Sequence, residues 1–509
     1  MAITLMTEKY ETGIYGVLNC YDRVVISGHL QPLCYAKGMT KYLYSHDIRI
    51  FDYTKFTEPL RDTIRTNAQT LAIANGVEIE FITKHNAFRK EDRIKQIIEQ
   101  RGEQPGLVHI FSAMEPCQAY RPWHDKVSHK TYVKLSQSKC LHYYFYFIDP
   151  DLGLCYLRVP TWCPFRLQFY FNGHNALAAR LKQAGLAFEL ADNAFLTVAD
   201  FDQANQLAVL DLEQLQGKLD QLAEQYCPVL NQLELHYYWS ILQAEYATDI
   251  VFKTQPTLQA LYPHLLESLI QAVKPADIAT FLGRKLHGNY QDQMGNRFNK
   301  RWLGTRIKHQ MGPVTIKLYD KFNIVLRIET TVNDVTFFQQ YRQVQHRDGT
   351  TTTEYAALQK TIHSLSPLAE ILQAVNHRYL KFISDIDTPH NGVKKLQRLT
   401  ETCHDNDRRY KGFNLLNEED ASLFRLLLHG EFVIQGFSNK ALRQHLPDKN
   451  SGQITRLLKR LRVHGIIKRV SQRYRYYLTD LGRQAAVLAL KLREIVIIPH
   501  LACDASAPL

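Results

Sequence analysis

Between residues 304 and 331 apolar and polar positions alternate almost without a break, and two short interruptions divide the run into three. A period of two predicts strands at about 304–310, 314–319 and 324–331, joined by turns at Met311-Gly-Pro313 and Asp320-Lys-Phe-Asn323 into an antiparallel meander. With Tyr319 opposite Val325, the odd-numbered residues His309, Thr315, Lys317, Tyr319, Lys321, Arg327 and Glu329 share one face. Ile316, Leu318, Leu326 and Ile328 then face a core. Upstream, residues 1–104 predict an α/β layer, with strands at 21–27 and 77–82 and helices at 60–74 and 89–101. Residues 105–200 are strand-rich, with strands at 107–111, 141–149, 153–159 and 165–171 and a helix at 175–184. Asp149 opens the reverse turn that joins the second and third of these; a first carboxylate of a nuclease is the weaker reading of it. Residues 201–400 are read as a helical region around the meander, amphipathic at 207–222 and 262–273. On such a helix Glu245 and Asp249 share a face, a spacing that suits a metal or a solvated acidic edge.

The carboxyl end changes character. A short helix is expected at 423–429 and a second at 438–446, capped by Ser438 and stopped by Pro447. A third, 451–464, has Ser451 as its cap, Gly465 past its end, and Ile454, Leu457, Leu458 and Leu461 on one stripe. Strands at 466–470 and 474–478 flank a basic turn at 471–473. Helix, turn, helix and basic hairpin is the order of a winged helix-turn-helix, here spanning 415–495. The expected fold class is therefore α/β (α+β) and multidomain: mixed sheets with helices, then a C-terminal winged helix-turn-helix.

Charge sharpens the picture. The chain of 509 residues carries +12, and residues 439–494 alone hold 14 Lys and Arg against three acids. A charge excess concentrated in so short a segment fits an anionic polymer. Arg456, Lys459, Arg460, Arg462, Lys468, Arg469, Arg473 and Arg475 are the candidate nucleic-acid contacts. The 45% hydrophobic and 22% charged content suits a folded protein. Nine scattered cysteines without a Cys-x-x-Cys pair indicate neither a zinc knuckle nor a redox motif and suit a reducing compartment. No apolar run long enough for a membrane span and no secretion signal is present, so a cytoplasmic location and no membrane partner are expected.

Two segments carry resemblances. Residues from Gln453-Ile-Thr-Arg-Leu-Leu-Lys-Arg to Tyr476-Tyr-Leu-Thr resemble the MarR/ArsR type of winged helix, which implies a second helix in the DNA major groove and a wing on phosphates. Ile316-Lys-Leu-Tyr-Asp-Lys321 followed by Leu326-Arg-Ile-Glu329 resembles part of the replication initiators of rolling-circle plasmids. That resemblance implies nicking through a tyrosine with a divalent metal, although the His-hydrophobic-His motif of the wider class is absent.

The residues speak to the same chemistry. A phenol ionises near pH 10, so Tyr319 needs cationic neighbours such as Lys317, Lys321 and Arg327 before it attacks a phosphodiester. Glu329, His309 and Asp320 are the candidate ligands for Mg²⁺ or Mn²⁺. The first expectation is a DNA-binding protein of a bacterial plasmid or mobile element, acting as a metal-dependent tyrosine nickase, replication initiator or strand-transferase. The alternatives are a non-enzymatic MarR-like transcriptional regulator and a binder of structured RNA. A second copy of the chain is a further candidate partner.

Overall fold

The computed structural model describes residues 5–83, 88–286, 293–301, 304–386, 390–470 and 474–502. Two compact units result, Met1–Asp387 and Thr388–Leu509. The upstream divisions expected at 104 and 200 do not separate units, because one sheet runs through all three regions. Its strands are β1 (Ile14–His29), β2 (Ile79–Ile82), β3 (Gly106–His124), β4 (Thr131–Asp149), β5 (Gly153–Pro160), β6 (Leu167–Asn172), β7 (Tyr238–Phe252), β8 (Met294–Arg301), β9 (Gly304–Met311), β10 (Val314–Lys321) and β11 (Val325–Val332). They lie in the order β8-β9-β10-β11-β7-β1-β6-β5-β4-β3-β2. All neighbours are antiparallel except β2 and β3.

The centre of the sheet is buried on both sides, so its strands lack clean alternation. Every residue of β11 is buried. On one side lies the helix Leu365–Ile386, whose Leu368, Leu372, Val375, Tyr379 and Ile383 are all fully buried. Their spacing of three and four residues makes one stripe, and each such side chain contributes about 2 kcal/mol on leaving water. Asn376 on the same helix donates through Nδ2 to the Tyr246 and Ile328 carbonyls and to Thr248 Oγ1, and accepts from Thr330 Oγ1 at 2.6 Å. This buried amide ties the helix to both β7 and β11, and its own donors and acceptor are satisfied there.

On the other side the helix Gly173–Gln183 starts directly on β1. A Cβ at Gly173 would meet the Tyr21 carbonyl oxygen at 1.9 Å, so only glycine permits this approach. Asn172 caps the helix by accepting from the Asn175 amide at 3.1 Å. The close start delivers the next residue, His174, to the sheet.

Glu245 and Asp249 lie on β7, a 15-residue strand, and not on the helix expected for residues 201–275. Asp149 is the turn-former: its Oδ1 accepts from the Asp151 and Leu152 amides and from Lys218.

In the second unit the helices Glu418–Leu427, Gly430–Gln435, Asn439–His445 and Ser451–Val463 precede a hairpin of β12 (Ile467–Val470) and β13 (Arg475–Leu478), and the helix Asp480–Lys491 follows. Phe437 bridges Tyr476, which adds a third extended segment beside the hairpin. Ser438 caps its helix as expected, accepting from the Ala441 amide at 3.2 Å. The next helix is capped by Asn450 in place of Ser451, in a reciprocal box with Gln453. Gly465 ends it with φ +74. Leu399, Phe413, Phe424, Ile454, Leu458, Leu461 and Ile466 build the unit's core. It therefore draws on residues upstream of position 415.

Candidate functional site

Strand register assembles the site. Lys317 pairs with Glu329 and Tyr319 with Arg327, while Arg327 pairs with Asp249 on β7. The pairing is two residues away from the expected one, so the odd-numbered residues of β10 and β11 keep a common face. On β1 a bulge between Tyr21 and Arg23 inserts Asp22 into the same face.

At its centre Arg327 is fully buried. Its Nε and Nη2 each donate to an Asp249 oxygen at 2.6 Å, its Nη1 to Asp22 Oδ1 at 3.2 Å, and Nη2 also to the Asn193 carbonyl at 2.6 Å. His174 lies between the two carboxylates, 3.0 Å from Asp22 and 3.1 Å from Asp249. Burial alone would raise the pKa of Asp249, but Arg327 and His174 outweigh it and bring it down to about 2. Asp22 is held low against burial by the same partners. Arg327 is thus a keystone and not a group free to meet substrate.

Beside it lies the reactive-looking cluster. Glu329 is buried and accepts from both the Lys317 ammonium and the Tyr319 hydroxyl. Lys317 also donates to Glu245 Oε1 at 3.3 Å, and Thr331 Oγ1 donates to the same oxygen at 3.1 Å. Carboxylate oxygens of Asp22, Glu245 and Glu329 all lie within 4.8 Å of one another. Burial, then the Glu329 charge, pushes the Tyr319 phenol well above its ordinary pKa, so it rests protonated. Burial and the Glu329 charge likewise raise Glu245.

From this cluster a row of cations runs outward. Arg297, Lys308 and Lys317 pair in succession across β8, β9 and β10, and the row ends on Glu329. Like charges directly opposite on neighbouring strands repel. Burial, with Lys317, Arg306 and Arg297 adding to it, lowers the pKa of Lys308. Arg306, two residues along β9 on the same face, has a buried Nε without a hydrogen-bond partner. Such a row is unfavourable by itself and becomes favourable when an anion lies on it.

The remaining expected residues are placed elsewhere. Lys321 shares the face but turns to Asp192 Oδ2 at 3.4 Å. His309 and Asp320 lie on the opposite side from Glu329 and are not its metal partners. Met311 pairs directly with Val314, so the turn has two residues, Gly312 and Pro313, and not the three expected. One residue fewer flips β9, which sends His309 towards the helix Leu365–Ile386 and brings Lys308 and Arg306 to the site face. There His309 bonds Tyr379 Oη and Asn296 Oδ1, each at 2.7 Å. Asp320, opposite Leu326, has its pKa raised by burial.

Burial lowers the His309 pKa from 6.5 to about 4. A buried base of this kind is neutral when folded but takes a proton in the unfolded chain below pH 6.5. Stability should therefore fall as pH drops from 6.5 to 4, by up to about 3 kcal/mol at this position. Urea melts across that range should show the loss in wild type and a shallower slope in His309→Gln; equal slopes would contradict it.

Asp22, Glu245, Asp249 and His174 complete the face. Of these, Glu245 and Asp249 stood out in the sequence by their spacing; Asp22 was visible only as an acid within a strand of apolar residues.

In the second unit Arg456, Arg462, Lys468, Arg469 and Arg475 are exposed. The Arg469 guanidinium lies 4.3 Å from the Tyr474 ring centre. Lys459 pairs with Asp405. Arg460 is turned inward: Nε donates to the Lys411 carbonyl at 2.8 Å, Nη2 to the Gly412 carbonyl at 2.7 Å, and the guanidinium stacks 3.8 Å from the Phe413 ring centre. Arg473 lies outside the described residues. Arg460→Ala should cost the unit about 1.5–3 kcal/mol, since two carbonyls lose a charged donor. Arg456→Ala should leave the melting temperature unchanged. Thermal melts of both variants test this; equal melting temperatures would contradict it.

Comparison with protein-family models, with curated proteins and with solved structures gives no match. Among the described residues no helix is long and apolar enough to cross a membrane.

Proposed function

We propose that the chain processes nucleic acid by phosphodiester transfer through Tyr319, and that a C-terminal winged helix-turn-helix brings it to DNA. One observation carries this reading: the cation row Arg297–Lys308–Lys317 ends at a carboxylate that accepts the hydroxyl of a tyrosine. A phosphodiester laid on that row puts its phosphorus near the Tyr319 oxygen. The phenol oxygen forms a bond to phosphorus, its proton passes to Glu329, and the bond to the leaving sugar oxygen breaks, that oxygen taking a proton from water. The reverse step returns the strand to a sugar hydroxyl.

Three carboxylates offering only oxygen suit a hard divalent cation, Mg²⁺ or Mn²⁺, competing with the Lys317 ammonium for the Glu245 and Glu329 oxygens. Such an ion would neutralise charge on the phosphate and favour the phenolate. Asp22, Glu245 and Glu329 would hold it. For the second unit, the order of helices and hairpin and the exposed Arg456, Arg462, Lys468, Arg469 and Arg475 support DNA docking, with structured RNA as the alternative ligand.

A non-enzymatic binder, such as a transcriptional regulator, is favoured by one fact: burial keeps Tyr319 protonated and paired. Supercoiled DNA of the native locus, incubated with each metal, separates the two. Nicking with a covalent protein–DNA species supports the enzyme. Binding without cleavage under either metal supports the regulator and overturns the proposal.

A further inference from the structure

On the same sheet face a trough of 570 Å³ opens beside the cluster, lined among others by Arg23, Arg89, Tyr156, Gln168, Tyr170 and Asn333. Its floor is a row in register: Tyr156 pairs with Tyr170, Tyr170 with Val25, and Val25 with Gln243. The two tyrosine rings are stacked, 4.9 Å between centres and 15° between planes. The Arg23 guanidinium carbon lies 5.6 Å from the Tyr170 ring centre, while its Nε lies 3.9 Å from Glu245. Arg23 therefore belongs to both the trough and the carboxylate cluster. Gln243 and Glu245 are two residues apart on β7, about 7 Å along the strand. A second hollow of 270 Å³, with Trp162, Arg158 and Arg166 in its lining, shares Gln168 and Leu242 with the first. The two adjoin on the sheet, and both are open to solvent, unlike a closed pocket for a small molecule.

We infer that this trough seats unpaired nucleotides, of DNA or RNA, and leads the strand to the Tyr319 cluster. The inference rests on the phosphodiester reading above and adds the form of its substrate. Stacked aromatic floors accept any base through its π-face, and guanidinium groups at the rim take the phosphates. Arg23 and Arg89 supply those charges, opposed by Glu91 on the rim and by their loose pairs Glu245 and Asp92. Gln168 bonds Tyr156 and Gln243 bonds Asn333, and the remaining amide groups of these three can turn to base edges. A duplex does not fit this chemistry, because its bases are already stacked on one another.

The test is photocross-linking of the full-length chain to 12-mers carrying 5-iododeoxyuridine or 5-iodouridine, followed by digestion and mass spectrometry. Cross-linked peptides holding Tyr156 or Tyr170 are expected, and the relative yield of the two oligomers tells DNA from RNA. In Tyr170→Leu the yield there should fall about tenfold, while Tyr170→Phe keeps it. Tyr319→Phe should cross-link as wild type, so a failure of the catalytic reading leaves this result standing. Cross-links confined to residues 388–509, none at saturating oligomer, or equal competition by polyglutamate would overturn the inference; the last would point to an acidic peptide.

Discussion

Arg327→Met should unfold the first unit at a markedly lower denaturant concentration, by about 3–5 kcal/mol, because it strands two carboxylates in the core. Asp249 and Asp22 are almost without solvent, and Arg327 supplies their cation from 2.6 and 3.2 Å. Methionine is the nearest unbranched apolar replacement, somewhat smaller, and removes the charge and its donors. The same network predicts acid sensitivity with a definite sign. Asp249, ordinarily near 3.8, sits at about 2 in the folded chain, so its contribution is complete above pH 4 and is lost as pH falls towards 2. Changing Asp22, Asp249 and Arg327 together to apolar residues should recover much of the loss, since a buried ion cluster replaced whole is often neutral. Urea melts check each variant. A single Arg327→Met as stable as wild type would show that the guanidinium is not the keystone.

Tyr319→Phe should do the opposite: leave the fold intact and abolish strand transfer. Its hydroxyl donates to Glu329, whose other partners, Lys317 and Thr331, remain. Stability should change by no more than about 1 kcal/mol. Transfer should fall by at least about 10³-fold, the scale on which loss of a nucleophile acts. Activity measured on the native-locus DNA, beside a melt of the same preparation, checks both halves. Residual transfer near the wild-type rate would place the nucleophile elsewhere.

Much of this site was readable from alternation. The odd-numbered face of residues 314–331 survived a two-residue error in pairing, because a shift by two preserves parity. His309 did not survive a one-residue error in the preceding turn, where Gly312 and Pro313 suffice and parity flips. β7 escaped notice for a different reason. From Ala244 to Phe252 it is buried almost throughout, so its sequence lacks the period-two signature of a half-exposed strand. Its Tyr, Trp, Thr, Ile and Val content was the remaining signal. By type and face Arg327 reads as a cationic neighbour of Tyr319; only its pairing with Asp249, on a strand distant in sequence, shows the guanidinium committed to buried carboxylates. Arg460 was misread likewise, since helical spacing gives a face but not the backbone carbonyls of residues 411 and 412 that meet it.

The most direct measurement is mass spectrometry of peptides from the chain after reaction with native-locus DNA, Mg²⁺ or Mn²⁺, and nuclease trimming. A nucleotide joined through phosphate to the Tyr319 side chain is the predicted product. Nicked DNA with no nucleotidyl peptide, or a nucleotide carried on another residue, would contradict the assignment.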